Sequence, residues 1–196
     1  MTTIPDILAR GQQFGLNRQD EMLQSFSGRE VAVQQRPAFW SFTIPIVPRA
    51  ASEAKKWRAV MAELSNMANS FEATPPGYRG SQYSRNGGQA IAVNGGSQLG
   101  RELAYSGADP STVVFEIGEY FSVNGELKIV TAQSSSDGSG NGTVEFEPAF
   151  RNPPPNNDPI ETLSPTASFR LVGPIGGWSL SPNRLHSFTL NAVETY

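Results

Sequence analysis

The chain has 196 residues, a net charge of −3, one histidine and no cysteine. Missing thiols exclude disulfides, cysteine nucleophiles and thiolate metal sites, and scattered Arg and Lys under a negative balance exclude the basic field that draws proteins to nucleic acid or anionic lipid. Hydrophobic residues at 38% and charged residues at 17%, beside 19 Gly and 15 Pro, favour short strands and many turns over long helices.

The opening MTTIPDILARGQQ has no basic head followed by an apolar core. No later segment approaches the roughly 20 apolar residues of a membrane span, so the expectation is a soluble cytosolic product without membrane insertion. The first 30 or so residues are rich in Gln, Arg and Asp and poor in core signals, as in an arm ordered by a neighbour. REVAVQQ and FWSFTIPIV (39–47) then read as strands, with Pro45 placing the second at a sheet edge or a strand end.

A helix is predicted after PRAA, with Ser52 as N-cap and Glu53 in the first turn. Trp57, Val60, Met61, Leu64, Met67 and Ala68 form its apolar stripe, while Lys55, Lys56, Arg58, Glu63 and Asn66 face outward to solvent or a partner. Phe71 and Pro75-Pro76 end it. Asn86-Gly87-Gly88 and Asn94-Gly95-Gly96 read as two turns around the short strand QAIAV.

EYFSVNGELKIVTAQ is a hairpin with Asn124-Gly125 in a type I′ turn. TVEFEPAF (143–150) supplies a third strand of the same meander, with Val144 and Phe146 on one face and Glu145 and Glu147 on the other. NPPPNNDP (152–159) marks a boundary, because proline offers no backbone donor to a strand or helix. ASFRLVG and HSFTLNAVETY close the chain as two strands joined by the Gly/Pro-rich GPIGGWSLSPN. The predicted architecture is mainly β: a frame from residues 1–74 and 156–196 with one flanking helix, and a small β-barrel-like module inserted at 75–155.

Four features bear on chemistry. SSSDGSGNG (134–142) imitates the first half of a calcium loop through Asp137, Ser139, Asn141 and Gly142, yet the twelfth position is Pro148 and no helices flank it. It reads instead as a connection between two strands that tolerates deletion. Glu145 and Glu147, with Glu116 and Glu119, offer a remote carboxylate pair, and His186 stands before a strand with no nucleophile motif around it. The aromatics Trp40, Trp57, Trp178, Tyr78, Tyr83, Tyr105 and Tyr120 include candidate stacking or interface surfaces, with Trp57 read as core and Trp178, in a Gly-rich loop, either an exposed anchor or folded back on its own domain. No catalytic, cofactor-binding or metal-binding residue is expected.

The order of segments PAFWSFTIPIVPRAASEAKKWRAVMAEL, NSFEATPP, AVNGGSQLGREL, IGEYFSVNGELKIVTAQSSSDGSGNGTVEFEPAFRNPP, ASFRLVG and HSFTLNAVETY resembles distal tail or tail-tip (baseplate) structural proteins of tailed bacteriophages. The likeness spans roughly Phe39 to Tyr196. Glu119 stands where such proteins usually carry Asp, and PAFRNPPP replaces their Pro-Pro-hydrophobic-Arg form. The resemblance implies a tail-tube-type β-sandwich with one flanking helix and an OB-like insert. It further implies a non-enzymatic virion protein, assembled in the host bacterial cytoplasm, that closes into a homo-oligomeric ring, commonly a hexamer. Its partners would be further copies of itself and the tube, hub, fibre or receptor-binding proteins of the tail. The polar helix face and the edge strands are the candidate subunit interface. The alternative is a carbohydrate-binding module for host-surface glycans.

Overall fold

The computed structural model describes residues 13–24, 28–64, 69–172 and 179–195, and the protein is mainly β, with antiparallel sheets and, among the described residues, two helices. In chain order the elements are β1 (Gln13–Gln24), β2 (Glu30–Arg49), α1 (Ala51–Glu63), β3 (Phe71–Ala73), α2 (Gln82–Arg85), β4 (Ala92–Val93), β5 (Glu102–Ser106) and β6 (Val113–Phe115). There follow β7 (Tyr120–Val123), β8 (Glu126–Val130), β9 (Ser134–Ser135), β10 (Gly142–Glu147), β11 (Ala167–Leu171), β12 (Ser179–Leu180) and β13 (His186–Glu194). Two compact units divide the chain: Met1–Gly15, Trp40–Pro76 and Ala167–Tyr196 form the first, Leu16–Phe39 and Gly77–Thr166 the second.

One sheet has the order β1-β2-β13-β11-β3, with β12 pairing β13. The first unit holds β13, β11, β3 and β12 with the Gln13–Gly15 part of β1 and the Trp40–Arg49 part of β2, while Leu16–Phe39, expected in the frame, belongs to the second unit. The two strands read from REVAVQQ and FWSFTIPIV are one continuous β2. Its Trp40, Phe42, Ile44 and Ile46 are all buried at period two, the signature of a sheet with one face on a core. β13 answers with Phe188, Leu190 and Ala192. Aromatic contacts continue the core laterally: Phe14 stacks on Trp40 at 4.8 Å, and Phe169 meets Phe42 at 5.7 Å and Phe71 at 6.1 Å between ring centroids.

Two expectations for this unit are corrected. β2 lies between β1 and β13, so Pro45 is in an interior strand, opposite Thr189. Ser41 is level with Gly15, its Oγ donating to the Gly15 carbonyl at 3.4 Å, so Pro45 lies beyond the described start of β1 at Gln13, where its missing donor interrupts no described ladder. The N-cap of α1 is Ala50, whose carbonyl accepts from Glu53 and Ala54; Ser52 is already within the helix, because the strand runs directly into it through Arg49. Ala54, Trp57, Met61 and Leu64 bury the apolar stripe, and Met67, Ala68 and Asn66 lie outside the described residues. Phe71 opens β3 and is wholly buried opposite Phe169.

The second unit is built on a curled sheet of order β4-β5-β10-β8-β7. The turn between β7 and β8 has φ of 50° at Asn124 and 74° at Gly125, the positive pair that a type I′ hairpin demands. β10 pairs β8 on one side and β5 on the other, with Val144 and Phe146 inward as alternation requires. A ladder of rings fills the interior: Tyr105 to Phe115 at 5.4 Å, Phe115 to Phe121 at 5.4 Å, Phe121 to Phe146 at 5.5 Å and Phe146 to Phe150 at 4.8 Å.

The proline-rich segment does not leave this unit. Asn157 and Asp158 exchange backbone hydrogen bonds with Val93, Ile160 donates to Ile91, and Glu161 exchanges both bonds with Ser122. One strap thus pairs with β4 at one edge of the curled sheet and with β7 at the other, and Ile160 drops into the core. Three successive prolines stop a ladder, but the residues after them are free to form one, so the unit continues to Thr166 instead of stopping at 155.

The charged pair of the module is internal. Lys128 stands opposite Phe121 and Glu126 opposite Val123, both on the core face of the hairpin. Lys128 Nζ lies 2.7 Å from Glu126 Oε2, donates to the Ala149 carbonyl at 3.2 Å, and sits 4.6 Å from the Phe150 ring centroid. Glu126 in turn accepts from the backbone amides of Arg151 and Asn152. A buried ion pair stabilises only when its remaining lone pairs and protons are satisfied, and here the pair holds the start of the strap.

Candidate functional site

The second unit carries a polar groove of about 460 Å³ between α2 and β6. Its first wall is a single helical turn. Ser81 Oγ accepts from the Ser84 amide, Glu119 Oε1 accepts from the Gln82 amide at 2.6 Å, and Gly87 with φ of 84° ends the turn. Gly88 then presses its Cα on the face of Tyr83, where any Cβ would collide with the ring. The Tyr83 hydroxyl accepts from the Asp109 amide at 2.9 Å, and burial raises the phenol's pKa above its usual value.

The opposite wall is formed by Thr112, Val113, Val114 and Glu116. Two carboxylates border the groove and both are oriented by amides. Asp109 accepts from the Gln89 backbone at 3.2 Å and from Gln89 Nε2 at 2.9 Å, and Glu116 accepts from Gln133 Nε2 at 2.8 Å. The side-chain amides of Gln82 and Asn86 project from the helical turn and make no hydrogen bond among the described residues. The lining contains no Lys or Arg.

The constellations read from sequence lie elsewhere or are consumed. Asp137 Oδ1 accepts from the amides of Ser139 and Asn141, which lowers its pKa, so the carboxylate closes its own loop. That loop is nevertheless bonded into the unit. Ser134 and Ser135 form β9 against β6, Ser134 Oγ donates to the Thr143 carbonyl at 2.6 Å, and the buried Ser136 hydroxyl accepts from the Thr112 amide. Glu119 holds the amides of Gln82 and Glu116, and Glu147 pairs with Arg101 at 2.9 Å and Arg18 at 3.4 Å. Glu145 stands exposed opposite Glu102. His186 is half-buried at the first position of β13.

Among the aromatics, Trp40 and Trp57 are core of the first unit, Tyr105 is fully buried with its hydroxyl on Ser134 Oγ at 3.0 Å, and Trp178 lies outside the described residues. Tyr78 donates to the Tyr120 carbonyl at 2.9 Å and meets the Tyr120 ring at 5.4 Å. Burial foremost, then the nearby Glu119 charge, pushes the Tyr78 pKa up to about 12. The groove residues Gln82, Asn86, Asp109 and Thr112 escape pattern analysis because one helical turn is too short to show periodicity. The local signal is the Ser81 cap followed by the Asn86-Gly87 stop. Against protein families and curated proteins, neither comparison returns a match.

Proposed function

We propose that the protein is a non-enzymatic structural component of a bacteriophage tail, a ring-forming adaptor at the distal tail that links the tube to the host-recognition apparatus. The observation that carries this reading is β1. It is an edge strand of 12 residues, and near its end Met22 is 61% and Leu23 51% exposed. A long edge with apolar side chains in water invites pairing, and proteins that remain monomeric blunt such edges. A second copy covering it, related by a rotation that closes, gives a ring through heterologous contacts. The order of sequence segments supports the tail assignment, and ring copies and neighbouring tail proteins are the partners it entails.

Light scattering with size exclusion, combined with negative-stain imaging, tests the proposal. Closed rings of one stoichiometry are the expected result. Met22→Lys with Leu23→Lys converts them to monomers that keep the native circular-dichroism spectrum, since both side chains are exposed in the single chain. A wild-type chain that stays monomeric at high concentration overturns the ring.

A further inference from the structure

The groove between α2 and β6 is lined by no residue of β1, and its chemistry is specific enough to name a ligand class. We infer that it binds a neutral, hydroxyl-rich ligand, a sugar of one or two residues. A volume of about 460 Å³ accommodates such a molecule and little more. Two carboxamides without hydrogen-bond partners among the described residues, Gln82 and Asn86, each present a donor and an acceptor, which is what a vicinal diol requires. Asp109 and Glu116 are oriented by amide donors and retain lone pairs for O–H groups.

The rest of the lining discriminates. Without Lys or Arg, nothing repays the desolvation of a phosphate or carboxylate, and two carboxylates repel either group. Val113, 38% exposed on the wall that β6 forms, offers an apolar surface to the C–H face of a pyranose. The site differs from the tryptophan platform that composition suggests, because its single aromatic ring, Tyr83, is already covered by Gly88.

Saturation-transfer NMR on the full chain tests this with glucose, galactose, rhamnose and N-acetylglucosamine as probes, and with glucose 6-phosphate and N-acetylneuraminic acid as anionic counterparts. At least one neutral sugar should receive saturation and the two anionic sugars none. Gln82→Ala with Asn86→Ala removes two hydrogen-bonding groups and should weaken that sugar's affinity about tenfold or more. The melting temperature should hold, because both residues are exposed. Val113→Arg, acting from the opposite wall, should weaken it as well. Failure of all four neutral sugars, preference for an anionic one, or unchanged affinity in both variants overturns the inference. None of these outcomes depends on whether rings form.

Discussion

Gly142 and Tyr105 face each other across the β10–β5 pair so closely that a Cβ on Gly142 would collide with the phenolic oxygen, which itself is bonded to Ser134 Oγ. The polar stretch 134–142 is therefore packed over the most buried tyrosine of its unit. Gly142→Ala is expected to cost about 1–3 kcal/mol as overpacking. Shortening 134–142 should lower the melting temperature further, because it also removes the Ser134 and Ser136 hydrogen bonds. Denaturant titration of both variants checks this, and a deletion as stable as the parent would contradict the packing described.

Lys128→Met leaves the Glu126 carboxylate buried against a neutral neighbour, and the expected loss is about 3–5 kcal/mol. Adding Glu126→Gln removes the stranded charge while keeping an acceptor for the Arg151 and Asn152 amides. The double variant should recover part of the loss, read as a shift of the urea midpoint at constant m-value.

Ile160→Ala empties the anchor of the strap, with an expected cost of about 2–4 kcal/mol. The more telling readout is local. The Val93 amide donates to Asp158 and the Ser122 amide to Glu161, so hydrogen exchange should accelerate at these two positions, on opposite edges of the sheet, together.

Two pH dependences follow from the tyrosines and from Asp137. The Tyr78 phenol titrates near 12 when folded against 10.0 ordinarily, so its contribution is complete below pH 10 and is lost as pH rises from 10 toward 12. Tyr83, Tyr105 and Tyr120 shift in the same direction, burial being the first cause in each, and phenolate absorbance should appear together with alkaline unfolding. Asp137 runs the opposite way. Its folded-state pKa lies below 3.8, so what its loop bonds contribute is present above that pH and is lost as pH falls through the lower folded value. Asp137→Asn keeps the Oδ1 acceptor and should tolerate neutral pH better than Asp137→Ala, judged by melting temperature.

Strands with strict alternation are legible in the sequence: Trp40 to Ile46, Phe188 to Ala192 and Val144 to Phe146 all follow period two, and Asn124-Gly125 announces its turn. What escaped notice depends on contacts distant in sequence. Whether residues after a proline run leave a domain or strap it depends on Ile91, Val93 and Ser122, some 40 to 70 positions away. The serines at 134 and 136 look solvated because their partners, Tyr105 and Thr112, are named nowhere in the local pattern. The groove was hidden for a related reason: Gln82 and Asp109 belong to one wall only because Gly88 lets the chain lie flat on Tyr83.

The sequence carries three lysines, and the fold gives them unequal access. Lys55 and Lys56 stand in water on α1, whereas Lys128 is 0% exposed behind aromatic rings. An amine-reactive label will therefore mark the helix at once and reach Lys128 only when the second unit opens, so mass spectrometry of that one peptide becomes a clock for the unfolding of a single unit within the intact chain.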